Sequence, residues 1–174
     1  REGIDKGIEY AKTLNCNQLN CLIGIPHDDI SQKELKNTII SNLRYASDKL
    51  KNAGIILLIE AINTIDIPGF YLNTTKQAKE IINEVNSDNI FIQYDIYHMQ
   101  IMEGNLSLTL RNNIEKIKHI QIADHPGRNE PGTGEINYNF LLKYIQSIGY
   151  KGYIGCEYNP YSNTEDGLTW LNKY

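Results

Sequence analysis

The sequence predicts an α/β fold in which about five parallel strands alternate with helices, and three observations support this prediction. Short apolar segments alternate with segments whose apolar residues recur at helical spacing. The segment IILLIE (55–60) is apolar on both faces, which is typical of parallel strands covered by helices. No Gly-x-Gly-x-x-Gly motif stands between a strand and a helix, so a doubly wound nucleotide-binding sheet is disfavoured. We therefore expect βα units in one domain covering residues 1–174.

The first third of the chain contains helical periodicity, a short apolar strand and a capping motif. Apolar residues at helical spacing over 2–14 predict an amphipathic helix. The apolar run QLNCLIGI (18–25) predicts a buried strand, because it is short and ends in a Pro-His-Asp-Asp loop. Ser31 and Glu34 have the spacing of a capping box, which predicts the start of a long helix that ends near Gly54. The strand IILLIE follows this helix.

The remaining elements follow from the same periodicities and from turn-forming Gly and Pro residues. In chain order, we expect a helix at 75–85, the strand FIQYD (91–95), a loop at 96–105, a helix at 106–113, the strand HIQIAD (119–124), a Gly/Pro-rich loop at 125–137, a helix at 138–148, the strand YIGCEY (153–158) and a closing helix at 164–172.

Composition excludes several classes of function. The net charge of -4, with lysines scattered among acids, argues against a nucleic-acid partner. No run approaches the roughly 20 apolar residues that a membrane-spanning helix requires, and the first residues lack the apolar region of a secretory signal. The odd number of cysteines shows no metal-type pairing and favours a reducing compartment. We therefore predict a cytoplasmic protein with no membrane partner.

Side chains able to ligate a metal stand at the ends of four predicted strands: Glu60, Asp95, Gln121 and Glu157. The carboxyl ends of parallel barrel strands meet at one face, where active sites assemble, so this clustering favours a barrel. Carboxylate and amide oxygens suit Mg²⁺ or Mn²⁺. His98 and Arg128 follow two of these strands in the loops above the same face, where they are suited to hold an anionic, hydroxylated substrate.

Five motifs in this order closely resemble the hydroxypyruvate isomerase family of xylose-isomerase-like TIM barrels: LLIEAIN with IPGF, QYDIYHMQ, HIQIADHPGR, EPGTGEINY and GCEYNP. The resemblance covers essentially the whole chain. It implies a divalent metal held by Glu60, Asp95, Gln121 and Glu157. It also implies Glu60 and Glu157 as the catalytic pair that shuttles a proton, and His98 and Arg128 as substrate contacts.

The activity implied by this resemblance is an aldose-ketose type isomerisation in carbohydrate metabolism. Hydroxypyruvate would become tartronate semialdehyde through a cis-enediolate, so the expected partner is a small hydroxy-keto acid or sugar. The 2-oxo-tetronate isomerases share nearly the same motifs, and a ketose 3-epimerase of the same superfamily would use the same two glutamates. These alternatives stay open.

The length predicts an incomplete barrel. A complete (β/α)8 barrel has eight strands in about 250 residues, whereas this sequence of 174 residues supplies five. The chain opens on Arg1 and begins as if within a helix. We therefore expect a partial (β/α)8 TIM barrel that lacks its first three strands. An inactive fragment, or a homo-oligomer in which another chain completes the barrel, is the corresponding alternative.

Overall fold

The alternation of helices and strands is confirmed in the structure, a computed structural model that describes residues 1–173 except the side chain of Lys173. The α-helices are α1 (Glu2–Thr13), α2 (Gln32–Asn52), α3 (Thr75–Val85), α4 (Ile96–Met102), α5 (Leu106–Asn113) and α6 (Tyr138–Ser147). The strands are β1 (Gln18–Asn20), β2 (Ile56–Glu60), β3 (Ile90–Asp95), β4 (Ile117–Ile122) and β5 (Ile154–Cys156). Two 3₁₀ helices cover Ile114–Lys116 and Asp166–Lys173.

The chain divides into two compact units, Arg1–Gln93 and the part from Tyr94 onward. In the first unit, β1 and β3 both pair in parallel with β2, and Glu60 lies opposite Gln93. In the second unit, β4 and β5 pair in parallel, and Gln121 lies opposite Gly155. These pairings are the parallel ones that the βα pattern predicts. A single domain over residues 1–174 stays a prediction.

Burial of one face of α2 forms much of the core of the first unit. The helix packs on β2, and its buried positions recur every three or four residues, as a helix facing a sheet requires. The opposite face of α2 is polar. Within residues 1–173, no helix is long and apolar enough to cross a membrane. The buried apolar residues of α2 are Leu35, Ile39, Ile40, Leu43, Ala46 and Leu50.

Several elements differ from the sequence-based expectation. Strand β4 ends at Ile122 instead of residue 124, and β5 covers Ile154–Cys156 instead of 153–158. Strand β1 stops at Asn20 instead of continuing to Ile25. The Cys21 backbone N–H still donates to the Leu58 carbonyl oxygen at 2.8 Å, and the chain turns further on at Gly24, which has a φ of 85°. Residues 96–102 form α4 rather than a loop, and this helix is too short for its periodicity to be visible in the sequence. The closing helix is a 3₁₀ helix at Asp166–Lys173.

The capping box predicted at the start of α2 is confirmed. The Glu34 backbone N–H donates to the Ser31 hydroxyl oxygen at 3.3 Å, and the Ser31 backbone N–H donates to Glu34 Oε2 at 3.3 Å. Two backbone donors that the first helical turn leaves without partners are thereby satisfied.

We expect Ser31→Ala to lower the free energy of unfolding by about 1 kcal/mol, because the N-cap acceptor is lost. Urea unfolding followed by circular dichroism measures this. Ser31→Thr is the matched control, since it keeps the hydroxyl and should stay close to the wild type. Equal losses in the two variants would contradict the role of the cap.

Candidate active site

Glu60 closes β2 in the first unit, and two amide side chains hold its carboxylate. The side chain is only 4% exposed. Asn20 Nδ2 on β1 donates to Glu60 Oε2 at 2.6 Å, and Gln93 Nε2 on β3 donates to the same oxygen at 2.8 Å. Neutral donors from both neighbouring strands therefore orient this buried carboxylate.

Asp95 ends β3, and its two carboxylate oxygens have different surroundings in the second unit. Oδ1 caps α4 by accepting from the backbone N–H groups of Tyr97 at 2.8 Å and His98 at 3.3 Å. Oδ2 is buried and has no hydrogen-bond partner among the described residues. Burial raises the pKa of Asp95 to about 7, and the backbone donors of α4 only partly offset this effect. A buried carboxylate oxygen without a donor is a suitable ligand for a cation.

Arg128 connects the other candidate residues of the second unit. Its Nη2 atom donates to Glu157 Oε2 at 3.0 Å and lies 3.5 Å from His98 Nε2 and 3.9 Å from Asp95 Oδ2. Its guanidinium carbon lies 5.1 Å from the centre of the Tyr97 ring, a cation–π geometry. One cation thus faces two carboxylates, an imidazole and an aromatic ring.

The loop that carries Arg128 is organised by another buried carboxylate, that of Asp124, which is 1% exposed. Its Oδ1 accepts from the backbone N–H groups of His125 and Ile136, each at 3.0 Å, and its Oδ2 accepts from that of Gly132 at 2.8 Å. These bonds tie both ends and the middle of the 125–136 segment to one point.

Two close contacts complete the loop. The Arg128 carbonyl accepts from the Asn159 backbone N–H at 2.8 Å, which links the loop to the segment after β5. A Cβ atom at Gly134 would lie 2.0 Å from the His125 carbonyl oxygen, so any other residue there would force the backbone to move. Arg128 itself has a φ of 54°, an uncommon conformation for a residue with a side chain.

Comparison with known proteins identifies the family. The model described as "Xylose isomerase-like TIM barrel" matches residues 1–174. The chain belongs to this family. The predicted fold class, an α/β fold that forms part of a (β/α)8 TIM barrel with about five parallel strands, is therefore confirmed.

Two proteins similar to this chain carry isomerase names. The chain is 49% identical to hydroxypyruvate isomerase of Escherichia coli (strain K12), with 100% of this chain and 67% of that protein covered. It is 42% identical to 2-oxo-tetronate isomerase of Pectobacterium atrosepticum, with 100% and 66% covered. Among solved structures, "AP endonuclease, family 2" from Brucella melitensis matches at a TM-score of 0.95 and 40% identity, covering 100% of this chain and 67% of that one. The chain spans about two thirds of the length of these relatives.

The structure brings four of the six predicted site residues together in the second unit: Asp95, His98, Arg128 and Glu157. His98 lies on α4 and is 2% exposed, so the expectation that it stands in a loop was wrong. Glu60 belongs to the first unit, and Gln121 is the next-to-last residue of β4. Glu157 directly follows β5.

Two residues that contact Glu60 in the first unit, Asn20 and Gln93, were not singled out from the sequence, and neither were Tyr97 and Asp124 in the second unit. A usable signal existed for Gln93, because it stands two residues before Asp95 in FIQYD and therefore shares the same face of the strand. For Asp124 the signal was a carboxylate directly after an apolar strand in HIQIAD. Asn20 and Tyr97 owe their roles to partners that no local pattern reveals.

We expect Asp124→Ala to lower the free energy of unfolding by about 2–4 kcal/mol, because buried backbone donors lose a charged acceptor. Hydrogen exchange should accelerate at the amides of Gly132 and Ile136. In Asp124→Asn one oxygen still accepts, so the Ile136 amide should stay protected while the Gly132 amide, facing a donor, should not. Unchanged exchange at both amides in Asp124→Ala would contradict this account of the loop.

Proposed function

We propose that this chain carries the site of a metal-assisted isomerase that converts hydroxypyruvate to tartronate semialdehyde. The observation that supports this best is the cluster of Asp95, His98, Arg128 and Glu157, in which a buried Asp95 oxygen has no donor among the described residues. This cluster occurs in a chain that is 49% identical to a protein named hydroxypyruvate isomerase. Site and similarity together favour an intramolecular oxidoreductase.

The proposed cofactor is a divalent cation, Mg²⁺ or Mn²⁺, held by Glu60, Asp95, Gln121 and Glu157. The residues fit this group, because all four ligands offer oxygen atoms. A nearby positive charge would also stabilise the ionised form of the buried Asp95 carboxylate. In a parallel barrel the carboxyl ends of all strands lie on one face, which supports assigning these residues to one centre. Such an ion would act as a Lewis acid that stabilises negative charge developing on substrate oxygens.

Glu60 and Glu157 are the proposed proton-transfer pair. One carboxylate removes a proton from the hydroxymethyl carbon of hydroxypyruvate, and the electron pair of that C–H bond forms the carbon–carbon double bond of the enediolate. The other glutamate, in its protonated carboxylic acid form, delivers a proton to the former carbonyl carbon, while the hydroxyl proton passes to the former carbonyl oxygen. Return of a proton from the first glutamate to the second restores both groups. The product is an aldehyde beside a secondary alcohol, with the same atoms as the substrate.

Arg128 and His98 are the proposed substrate contacts. The guanidinium can pair with the substrate carboxylate through two parallel N–H groups, and its side chain is 27% exposed and thus accessible. Binding would replace part of its present contact with Glu157, which is 52% exposed. His98 is buried, so its ring has a fixed orientation from which it can hydrogen-bond a substrate oxygen.

A 2-oxo-tetronate isomerase is the second candidate function, and the 42% identity to the Pectobacterium atrosepticum protein favours it. Its substrate also carries a keto acid beside a hydroxyl-bearing carbon, so the same residues would serve. A ketose 3-epimerase and an inactive barrel fragment are the further outcomes that an assay separates.

We expect the chain to convert hydroxypyruvate in the presence of Mg²⁺ or Mn²⁺. The aldehyde product is measured by its reduction with a coupled dehydrogenase. Glu60→Gln and Glu157→Gln should each lower kcat by about 10²-fold or more, because an amide cannot carry the proton. Glu165→Gln, at an exposed glutamate, is the control. Turnover of ketoses alone, or full activity in either glutamine variant, would contradict the proposal.

We expect Mn²⁺ to raise the melting temperature of the wild type, since a ligand at 100 times its Kd adds about 2.7 kcal/mol to the folded state. The raised pKa of Asp95 means that ionising this group costs stability as pH rises from its unfolded value to about 7. At pH 8 without metal, Asp95→Asn should therefore be at least as stable as the wild type, yet it should lose the response to Mn²⁺. Asp29→Asn, at an exposed aspartate, should behave as the wild type does.

A further inference from the structure

We propose that Asn20 and Gln93 are positioning residues that hold Glu60 by its Oε2 atom, so that Oε1 is the oxygen that meets metal and substrate. This inference rests on the role proposed for Glu60. It concerns two amide side chains on β1 and β3, the strands that flank β2.

The register of the strands places both amides beside the carboxylate. Asn20 lies opposite Leu58, and Glu60 is two residues further along β2, hence on the same face as Leu58. Gln93 lies directly opposite Glu60 on the other neighbouring strand. A donor from each side therefore reaches across about one strand spacing to one carboxylate.

The side-chain amides of Asn20 and Gln93 donate to the same carboxylate oxygen of Glu60. Asn20 Nδ2 lies 2.6 Å and Gln93 Nε2 lies 2.8 Å from Glu60 Oε2. A carboxylate oxygen has two lone pairs in the plane of the group, and two amide donors engage both of them. Oε2 is thereby fixed as the anchoring atom, and ligation or proton transfer falls to Oε1.

The neutrality of the donors suits this role. An arginine or lysine in either place would pair with Glu60 as a charge and repel a dication at short range. An amide orients the carboxylate without cancelling its charge. A side-chain amide also does not ionise near neutral pH, so it does not compete with Glu60 as an acid or base.

The two amides differ in burial, which predicts unequal effects. Gln93 is 8% exposed and Glu60 is 4% exposed, whereas Asn20 is exposed at the edge of the unit. Water can replace a donor that is lost on the exposed side, but not one that is lost on the buried side. Gln93 should therefore contribute more to the orientation of Glu60 than Asn20 does, although its hydrogen bond is the longer one.

Substitution by side chains of similar size tests the inference. We expect Gln93→Met to weaken Mn²⁺ binding by about 10- to 100-fold, as removal of outer-shell partners of metal ligands does, and Asn20→Leu to weaken it by less than about 10-fold. Gln18→Met is the matched control. Gln18 lies on the same strand and face as Asn20, and its Oε1 has no hydrogen-bond partner among the described residues.

Mn²⁺ binding is measured by the electron paramagnetic resonance signal of the free ion, and folding by urea unfolding without metal. Steady-state kinetics with hydroxypyruvate give a third measurement. In Gln93→Met, kcat should fall with Mn²⁺ affinity while KM for hydroxypyruvate stays within about twofold, because Arg128 and His98 are unchanged. A purely structural role would lower the unfolding free energy without this division between kcat and KM.

Gln93→Asn guards against a variant that fails to fold, since it keeps the amide but shortens it beyond reach of the carboxylate. It should lose Mn²⁺ affinity as Gln93→Met does. Wild-type affinity in both Gln93 variants overturns the inference. Mn²⁺ binding that depends on Gln93, in a chain that isomerises none of the tested acids, overturns the proposed function but supports the positioning role. A wild type that binds no Mn²⁺ overturns both.

Discussion

The second unit depends on Asp95, whose side chain is 1% exposed and whose two carboxylate oxygens have different roles. Oδ1 starts α4 by capping it, and this places His98 and Tyr97 on the first turn of a helix that directly follows a strand. Oδ2 is left in a buried position where an ionised carboxylate is costly without nearby positive charge. Arg128 Nη2 lies 3.9 Å from Asp95 Oδ2, too far for a hydrogen bond. A further cation bound close to this oxygen would therefore stabilise the ionised carboxylate.

The two glutamates proposed for proton transfer have different surroundings. Glu60 is buried and receives neutral amide donors, which orient it and leave its charge in place. Glu157 is half exposed and pairs with Arg128, a cation that a substrate carboxylate can also engage. Two carboxylates in unlike environments are a common way of giving one group the role of acid and the other that of base. Binding of an anionic substrate to Arg128 would also change the partner of Glu157, which links substrate recognition to the proposed proton transfer.

Asp124 shows how the same residue type serves structure rather than chemistry. Its carboxylate is as buried as that of Asp95, but three backbone N–H groups satisfy it. The result is a loop held at several points by one carboxylate. In this loop Arg128 has a positive φ, and Gly134 lies where no side chain fits. The contrast between a satisfied and an unsatisfied buried carboxylate distinguishes a structural aspartate from a candidate ligand.

By itself, the sequence determined the order of helices and strands, the capping box of α2, the parallel α/β class and the residue types of the candidate site. Local periodicity, turn chemistry and family motifs carry that information, and the family match confirms the fold. The assignment of the site residues stays a prediction. Only the tertiary structure decided that β1 ends at Asn20, that α4 replaces a loop, and that Asn20 and Gln93 converge on one oxygen of Glu60. The physical reason is distance along the chain: Arg128 meets Glu157 across 29 positions and Asn20 meets Glu60 across 40, and no local pattern specifies such pairs.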